Sequence, residues 1–202
     1  MNFLRLLLTT AIISCLFQGC QKQEPQIETP SNLLTNGDFE AYPFQEWSSS
    51  LGKSAKTNSN TYAVEYSLEA ALSPTHSIKV SSDAIKNDTT FEYFGQSLLT
   101  SKVPLAEGAK LIMKAKIKMA NIQGNGLAIA IGGNYFVNGV YSTAFYSSTE
   151  GKTSITGTSE FKEYTLTFEG VPKNLYSVYA LVFYLPKTTG TAYYDDISLT
   201  VN

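Results

Sequence analysis

The chain has 202 residues, of which 43% are hydrophobic and only 16% are charged, a size that suits one domain with a short extension. Its formal net charge of −2 provides no basic surface, so nucleic acid is excluded as an expected partner. One histidine cannot build a metal site of two or three imidazoles, and two cysteines are too few for a zinc ribbon or a disulfide-rich scaffold.

The first residues have the pattern of an export signal. Arg5 precedes an apolar run over residues 6–17, which is shorter than the ~20 residues needed to span a bilayer. The run ends in Leu16-Phe17-Gln18-Gly19-Cys20, which resembles a bacterial lipobox and implies that Cys20 is acylated and becomes the first mature residue. We therefore predict a lipoprotein signal peptide over residues 1–19. The alternative is an ordinary signal peptide with an incidental cysteine.

The segment after Cys20 predicts a flexible tether. Residues 20–31 are polar, contain Pro25 and Pro30, and show no hydrophobic period. Because Cys15 leaves with the signal and Cys20 carries lipid, the mature protein has no disulfide. Acyl chains on Cys20 attach the protein to a membrane, and the predicted location is the bacterial cell envelope, at the outer membrane.

Residues 32–202 have the pattern of short strands and turns that is expected of one all-β domain. Residues 110–119 alternate apolar side chains with lysines, which predicts a half-buried strand whose lysines form a solvated face rather than an anion site. A short apolar run over residues 127–131 lies between glycines and predicts a core strand. Further strands are predicted at residues 163–169, 177–185 and 192–201. Only residues 62–72 have the pattern of one or two helical turns. This arrangement favours a β-sandwich.

Two motifs at opposite ends of this domain are similar to a known family. Asn32-Leu33-Leu34-Thr35-Asn36-Gly37-Asp38-Phe39-Glu40, followed by Trp47, resembles the opening of carbohydrate-binding modules of families 4, 9 and 22. Tyr193-Tyr194-Asp195-Asp196-Ile197-Ser198-Leu199 resembles their closing strand. The resemblance spans residues 32–202. It implies a β-sandwich jelly roll of two antiparallel sheets, with adjacent terminal strands, a structural calcium ion and glycan bound on a concave sheet or at a loop rim.

The resemblance also implies a set of calcium ligands. Asp195 has the same alternation parity as Ile197 and Leu199, so its side chain is expected to point inward, where a carboxylate needs a cation or several donors. By family analogy, the ion is held by Asp38, Glu40 and Asp195, with a backbone carbonyl from Thr75 or His76. The alternative is that Asp38 opens a turn and Asp195 accepts backbone N–H groups. The ion's role would be to pin the termini.

Sugar contact requires exposed aromatic rings with polar neighbours. The candidates are Tyr93, which lies on the opposite strand face to Phe94, and Tyr135, Tyr141 and Tyr146, which lie in a Gly/Asn/Ser-rich stretch. We expect Trp47 to be a core residue, as its place after the opening motif resembles a packing tryptophan of the family.

These observations predict non-catalytic carbohydrate binding by a lipid-anchored envelope protein. The alternative is a structural or adhesive surface lipoprotein that uses the same fold for protein contact. A further alternative is a small glycan-cleaving enzyme on the same fold. Gly124 and Gly126 resemble the start of a dinucleotide loop, but Ile129 stands where the third glycine belongs. His76 has no local triad context, so it is interpreted as a loop residue. The sequence specifies neither the sugar nor the oligomeric state.

Overall fold

A computed structural model describes residues 31–41, 46–49, 56–58, 62–83, 91–103 and 105–202. Across these ranges the chain forms ten strands, and all their pairings are antiparallel. They are β1 Trp47–Ser49, β2 Lys56–Asn58, β3 Ala63–Ser67, β4 Ser77–Ser82, β5 Glu92–Leu99, β6 Lys110–Val137, β7 Val140–Ser148, β8 Ile155–Glu169, β9 Ser177–Tyr184 and β10 Thr189–Val201. No helix in the described part of the chain is long and apolar enough to cross a membrane. The predicted signal peptide and most of the tether lie outside the described residues.

The long strand β6 connects the two layers of a sandwich. Its first part pairs with β10 and β8, and its second part, from Leu127 onward, pairs with β9 and β7. One layer therefore contains β2-β3-β4-β10-β6-β8, and the other contains β1-β5-β9-β6-β7. This arrangement confirms the predicted all-β jelly roll. The core strand predicted at residues 127–131 is the part of β6 that follows the change of layer.

The predicted helical turn at residues 62–72 is wrong. Its first half forms β3, in which Val64 pairs with Val80 and Tyr66 pairs with Ile78 of β4. Val64 is thereby almost fully buried, and Tyr66 on the same face is partly buried against the core. Pairing with β4 therefore outweighs the weak local preference for a helix.

The lysine face of β6 is solvated, as predicted. Leu111, Met113, Ala115 and Ile117 are fully buried on the inner face of the strand. The lysines point outward to acidic residues, mostly from β8. The pairs are Lys110–Glu169 at 3.2 Å, Lys114–Glu163 at 2.9 Å, Lys116–Asp196 at 3.0 Å and Lys118–Glu160 at 2.7 Å. Exposed pairs of this kind contribute at most about 1 kcal/mol each, so the apolar face stabilises the strand.

Trp47 is a core residue, as the sequence analysis predicted. Its indole stacks on Phe94 with ring centroids 5.2 Å apart and meets Phe39 edge-on at 5.1 Å. The indole N–H donates to the Thr35 carbonyl at 2.8 Å, so its polar atom is satisfied although the residue is fully buried. The tryptophan thus joins the opening segment to the layer that contains β1 and β5.

The two ends of the domain lie side by side. The Leu33 amide donates to the Leu199 carbonyl at 2.8 Å, and the Ile197 amide donates to the Gly37 carbonyl at 2.8 Å. The opening segment therefore pairs with β10, as the family resemblance implies. This pairing places the opening and closing motifs next to each other, together with the loop between β3 and β4.

The expected inward parity of Asp195 is corrected by a β-bulge. Asp195 pairs with Lys116 and Ser198 pairs with Lys114, so β10 has three steps where β6 has two. The extra residue is accommodated with a φ of 47° at Asp196. Asp195 therefore lies on the same face as Lys116, whereas Ile197 and Leu199 point into the core. It is nevertheless fully buried, because the loop between β3 and β4 packs over it.

Candidate functional site

One face of the β5-β9-β6-β7 layer carries aromatic rings above small residues. Residues directly opposite one another in a sheet share a face, so the register defines three adjacent rows. These rows are Tyr93, Phe183 and Ala128; then Gly95, Leu181 and Ala130; then Ser97, Tyr179 and Gly132. Tyr146 of β7 pairs with Gly132 and extends the third row. The opposite face of the same strands is buried in the core.

Small residues on β5 and β6 form the floor of this face. A Cβ on Gly132 would lie 2.2 Å from the ring of Tyr179, and a Cβ on Gly95 would lie 2.2 Å from a methyl carbon of Leu181. Ala128 and Ala130 on the same face of β6 are fully buried. The absence of larger side chains at these positions allows the rings of β9 to lie close against neighbouring strands, where they form walls rather than blocking the face.

Two depressions, whose linings meet where the ring of Tyr93 contacts that of Phe183, form what we call the ring groove. One has a volume of about 340 Å³ and is lined by Ser48, Tyr93, Gly95, Gln96, Ser97, Asn134, Tyr179 and Leu181. The other has a volume of about 270 Å³ and is lined by Phe91, Tyr146, Glu150, Phe183, Leu185 and Pro186. Three of the rings form a cluster, in which the Phe183 centroid lies 5.8 Å from Phe91 and 6.2 Å from Tyr93.

The polar groups of the ring groove are mostly uncharged. Ser97 and Asn134 supply a hydroxyl and a side-chain amide beside the rings, and Glu150 is the one carboxylate among the described residues that line the groove. Burial, together with the nearby Tyr146, raises the pKa of Tyr179. Its phenol is therefore neutral at physiological pH and can both donate and accept a hydrogen bond.

The structure separates the four tyrosines that the sequence suggested as sugar contacts. Tyr93 and Tyr146 line the ring groove. Tyr141 lies at the end of the β6–β7 hairpin, where its ring contacts Phe136 at 4.5 Å and Tyr176 at 5.6 Å. Tyr135 is half-buried and packs against the hydrophobic core. The structure therefore brings only two of the four into the groove.

Sequence reasoning missed Tyr179 and Phe183, which form much of the groove wall. A signal for them exists in β9, where Val178, Ala180 and Val182 alternate with Tyr179, Leu181 and Phe183. A strand with small apolar residues on one face and rings on the other predicts a ring-bearing outer face. The partners of β9, which complete the groove, are set by the fold.

At the predicted calcium site, Glu40 is bound by the loop between β3 and β4. The amides of Thr75 and His76 donate to its Oε1 at 2.9 Å and 2.7 Å, and the Thr75 hydroxyl donates to Oε2. The Thr75 hydroxyl and these amides lower the pKa of Glu40 to about 2. The His76 ring lies 3.2 Å from Oε2 through Nδ1 and stacks on Tyr66 at 4.3 Å. These contacts confirm that His76 is a satisfied loop residue.

Asp195 is held by the same loop. The amides of Leu72 and Ser73 donate to Oδ2 at 2.6 Å and 2.9 Å, and the Asp196 amide donates to Oδ1 at 2.7 Å. Burial raises the pKa of Asp195, and these three N–H groups oppose the increase. Both oxygens of the carboxylate thus have donors, which is the arrangement that the sequence analysis gave as the alternative to a cation.

The calcium expectation stays a prediction. Glu40 and Asp195 both accept hydrogen bonds from the loop between β3 and β4, which contains Thr75. Asp38, in contrast, lines a neighbouring groove of about 370 Å³ with Asn36 and Asp196. Among the described residues, no three His, Cys, Asp or Glu side chains form a group suited to a metal ion. The carboxylate oxygens of Glu40 and Asp195 already accept hydrogen bonds. These residues do not form a ready cage, and an ion would have to displace amide donors.

Solved structures with the same fold include a xylan-binding domain and a bacteriophage tailspike domain. The second family 22 xylan-binding domain of Xyn10C from Paenibacillus barcinonensis superposes with a TM-score of 0.52 at 13% identity, over 82% of this chain and 97% of that one. The enzymatically active domain of tailspike protein 4 from bacteriophage CBA120 gives a TM-score of 0.55 at 15% identity and covers 85% of this chain. This chain spans 21% of that tailspike chain. No protein-family model and no curated protein matches the sequence.

The chain has the jelly-roll fold of carbohydrate-binding modules. At identities of 13% and 15%, the likeness is one of fold. What this particular jelly roll binds has to be argued from its own surface. Among the described residues, the ring groove combines aromatic rings, polar groups and a defined volume.

Proposed function

We propose that this protein is a non-catalytic carbohydrate-binding module that holds a polysaccharide or glycoconjugate in the ring groove. The observation that carries the proposal is the set of rings that Tyr93, Tyr146, Tyr179 and Phe183 place above a floor of glycine and alanine. Apolar faces of sugar rings pack on aromatic rings, and sugar hydroxyls pair with neighbouring polar groups. Ser97, Asn134 and the Tyr179 phenol are such groups.

The composition of the ring groove supports binding rather than cleavage. Hydrolysis of a glycosidic bond by the common mechanisms requires two carboxyl groups about 5–10 Å apart. Of the described residues that line the groove, only Glu150 carries a carboxylate. Rings that line two neighbouring depressions suit a chain segment better than a single sugar ring. The fold shared with a xylan-binding domain is consistent with this assignment.

Attachment to the bacterial envelope is a second part of the proposal. The lipobox-like residues Leu16–Cys20 support acylation of Cys20, and residues 21–31 would tether the domain to the outer membrane. A module attached in this way would retain glycans near the cell surface.

The test of sugar binding is a glycan array with the full chain, followed by titration calorimetry on the glycans retained. Tyr93→Ala and Phe183→Ala should each weaken binding by about 2- to 13-fold, since one ring contact is worth roughly 0.5–1.5 kcal/mol. Leu68→Ala is the matched control, because Leu68 is 73% exposed and does not line the groove. Its affinity should match that of the unchanged protein.

Three results would contradict the proposal. Failure of the folded chain to retain any glycan would remove carbohydrate binding altogether. Equal losses in Phe183→Ala and Leu68→Ala would move the site away from the ring groove. Release of reducing sugar from a bound glycan would instead show that the groove is catalytic.

A further inference from the structure

The end of the β6–β7 hairpin exposes apolar side chains outside the ring groove. Phe136, Val137, Val140 and Tyr141 are between 42% and 64% exposed. Asn138 and Gly139 between them have φ values of 53° and 80°, as a tight two-residue turn requires. We call these six residues the hairpin tip. The tip of a hairpin is usually polar. Four exposed apolar residues on the two sides of one turn indicate a surface that contacts an apolar partner.

The hairpin tip also lies in an unusually uncharged part of the chain. No Lys, Arg, Asp or Glu occurs between Lys118 and Glu150. The outer face of the other layer is different, because its lysines are paired with carboxylates. A charged side chain is costly to move into a lipid interface, whereas Phe, Tyr and Val are favourable there. The composition of the tip suits a lipid surface.

Backbone contacts place the hairpin tip and the N-terminal segment at the same end of the sandwich. The Val171 amide donates to the Ala109 carbonyl, and the Tyr176 amide donates to the Asn134 carbonyl. The five-residue step from Val171 to Tyr176 therefore connects the start of β6 with the base of the hairpin. The corner at Gly124 and Gly126, where β6 changes layer, marks the opposite end.

The opening segment runs toward this same end. Gly37 lies beside Ile197 and Leu33 lies beside Leu199, while Asn202 exchanges backbone hydrogen bonds with Lys110. Followed backward, the chain therefore leaves the domain near the start of β6. Residues 21–31 can reach at most about 40 Å when fully extended, so an anchor at Cys20 keeps this end of the domain close to the membrane.

We propose that the hairpin tip inserts into the interface of the membrane that holds the protein. The inference rests on the lipid anchor described above. It makes the hairpin a second contact, which fixes how the domain stands on the bilayer: Phe136 and Tyr141 sit at headgroup level, and the ring groove extends along the sheet away from the lipid. The occupant of the apolar tip is thus the lipid surface rather than a second copy of this chain.

The test places an environment-sensitive fluorophore on a cysteine at Val140→Cys in the full chain, reconstituted in vesicles of phosphatidylethanolamine and phosphatidylglycerol. Asn125→Cys is the matched control, because Asn125 is an exposed position at the corner of β6, at the opposite end of the sandwich. The fluorescence emission of the label at position 140 should shift to the blue and be quenched by quenchers attached to lipids. The emission of the label at position 125 should show neither effect.

A second preparation separates failure of the tip from failure of the anchor. The full chain with Cys15→Ser and Cys20→Ser is held on nickel-chelating vesicles through a histidine tag after Asn202, which lies at the same end. If mass spectrometry finds Cys20 unmodified in the native chain, the proposed lipid anchor is wrong. The preparation on nickel-chelating vesicles still tests whether the hairpin tip enters the membrane. A water-exposed label at position 140 on these vesicles overturns the inference. A blue shift without lipid that grows with protein concentration also overturns it, because a second copy is then the occupant.

Discussion

Glu40 fastens the opening segment to the loop between β3 and β4 through hydrogen bonds that require its charged form. Its pKa is about 2, compared with 4.5 for an unperturbed glutamate. A carboxyl group whose pKa is lower in the folded state contributes stability above its unfolded pKa, and this contribution is lost as the pH falls through the folded value. The stabilisation by Glu40 is therefore complete above pH 4.5 and disappears between about pH 4.5 and 2.

We predict that Glu40→Gln reduces the acid dependence of stability in this window. The free energy of unfolding of the unchanged protein should fall from pH 4.5 to 2 more steeply than that of the variant, as measured by urea denaturation at a series of pH values. Glu160→Gln serves as the control, because Glu160 pairs only with Lys118 on the solvated face among the described contacts. Parallel pH profiles for Glu40→Gln and the unchanged protein would contradict the prediction.

Asp195 has the opposite linkage to pH. Burial raises its pKa in the folded state, so it contributes most below the unfolded pKa and loses this contribution as the pH rises through the folded value. Two carboxylates bound to one loop thus respond to acid in opposite directions. The difference arises because Asp195 is buried in full, whereas Glu40 remains near the surface with a hydroxyl and two amides directed at it.

At the scale of the elements, β6 depends on the corner between its two halves. Gly124 has a φ of 84°, and a Cβ there would lie 1.8 Å from the Lys187 carbonyl oxygen. The backbone of Lys187 cannot move aside to relieve such a contact, whereas the end of a flexible side chain can. The corner also lies against the turn that connects β9 to β10, so it holds the two layers in register with each other.

We predict that Gly124→Ala lowers the free energy of unfolding by about 2–4 kcal/mol, since it combines left-handed strain with a clash against backbone. Gly139→Ala is the matched control, because Gly139 has a φ of 80° and no atom within 4 Å of a built Cβ. Its cost should be that of the strain alone, about 1 kcal/mol. Thermal and urea denaturation of both variants measure the difference. Equal losses would mean that the close approach at the corner contributes nothing.

The β-bulge in β10 is the element that shapes the junction of the termini. It turns Ile197 and Leu199 into the core, while Asp195, which follows the buried Tyr194, stays on the outer face under the loop between β3 and β4. It also leaves Asp196 able to pair with Lys116 at 3.0 Å. Without the extra residue, Ile197 and Leu199 could not both point inward after Ala192 and Tyr194. The bulge therefore reconciles a buried carboxylate with an uninterrupted apolar face.

At the scale of the whole molecule, the opening segment, the loop at residues 72–76 and β10 close the domain on itself. If calcium binds here, as the family resemblance implies, it replaces amide donors at Glu40 and Asp195 and ties three distant segments to one ion. We then expect calcium to raise the melting temperature of the full chain and a chelator to reverse the increase. Magnesium is the control, because its smaller shell suits such a site poorly. Identical melting curves with calcium and with chelator would contradict the calcium prediction.

Alternation along single strands was enough to predict much of this fold. The outward lysines of β6, the buried positions between them and the opposite faces of Tyr93 and Phe94 all depend only on the period of two of an extended chain. Trp47 and the pairing of the termini were predictable from the end motifs. Tyr141 and Tyr135 show the limit of this reasoning, because a ring in a Gly/Asn/Ser-rich stretch can lie at a hairpin end or against the core equally well.

Residue patterns and the two end motifs were sufficient to predict the apolar face of each strand, an all-β domain, and the meeting of its two ends. The tertiary structure decided which strands are neighbours. The ring groove exists because β9 lies between β5 and β6, which brings Tyr179 and Phe183 over Gly132 and Ala128 from distant parts of the chain. It also decided the parity of Asp195, because one extra residue in a strand is visible only against its partner. Local periodicity is a property of one segment, whereas binding sites and bulges depend on how two or more strands are paired.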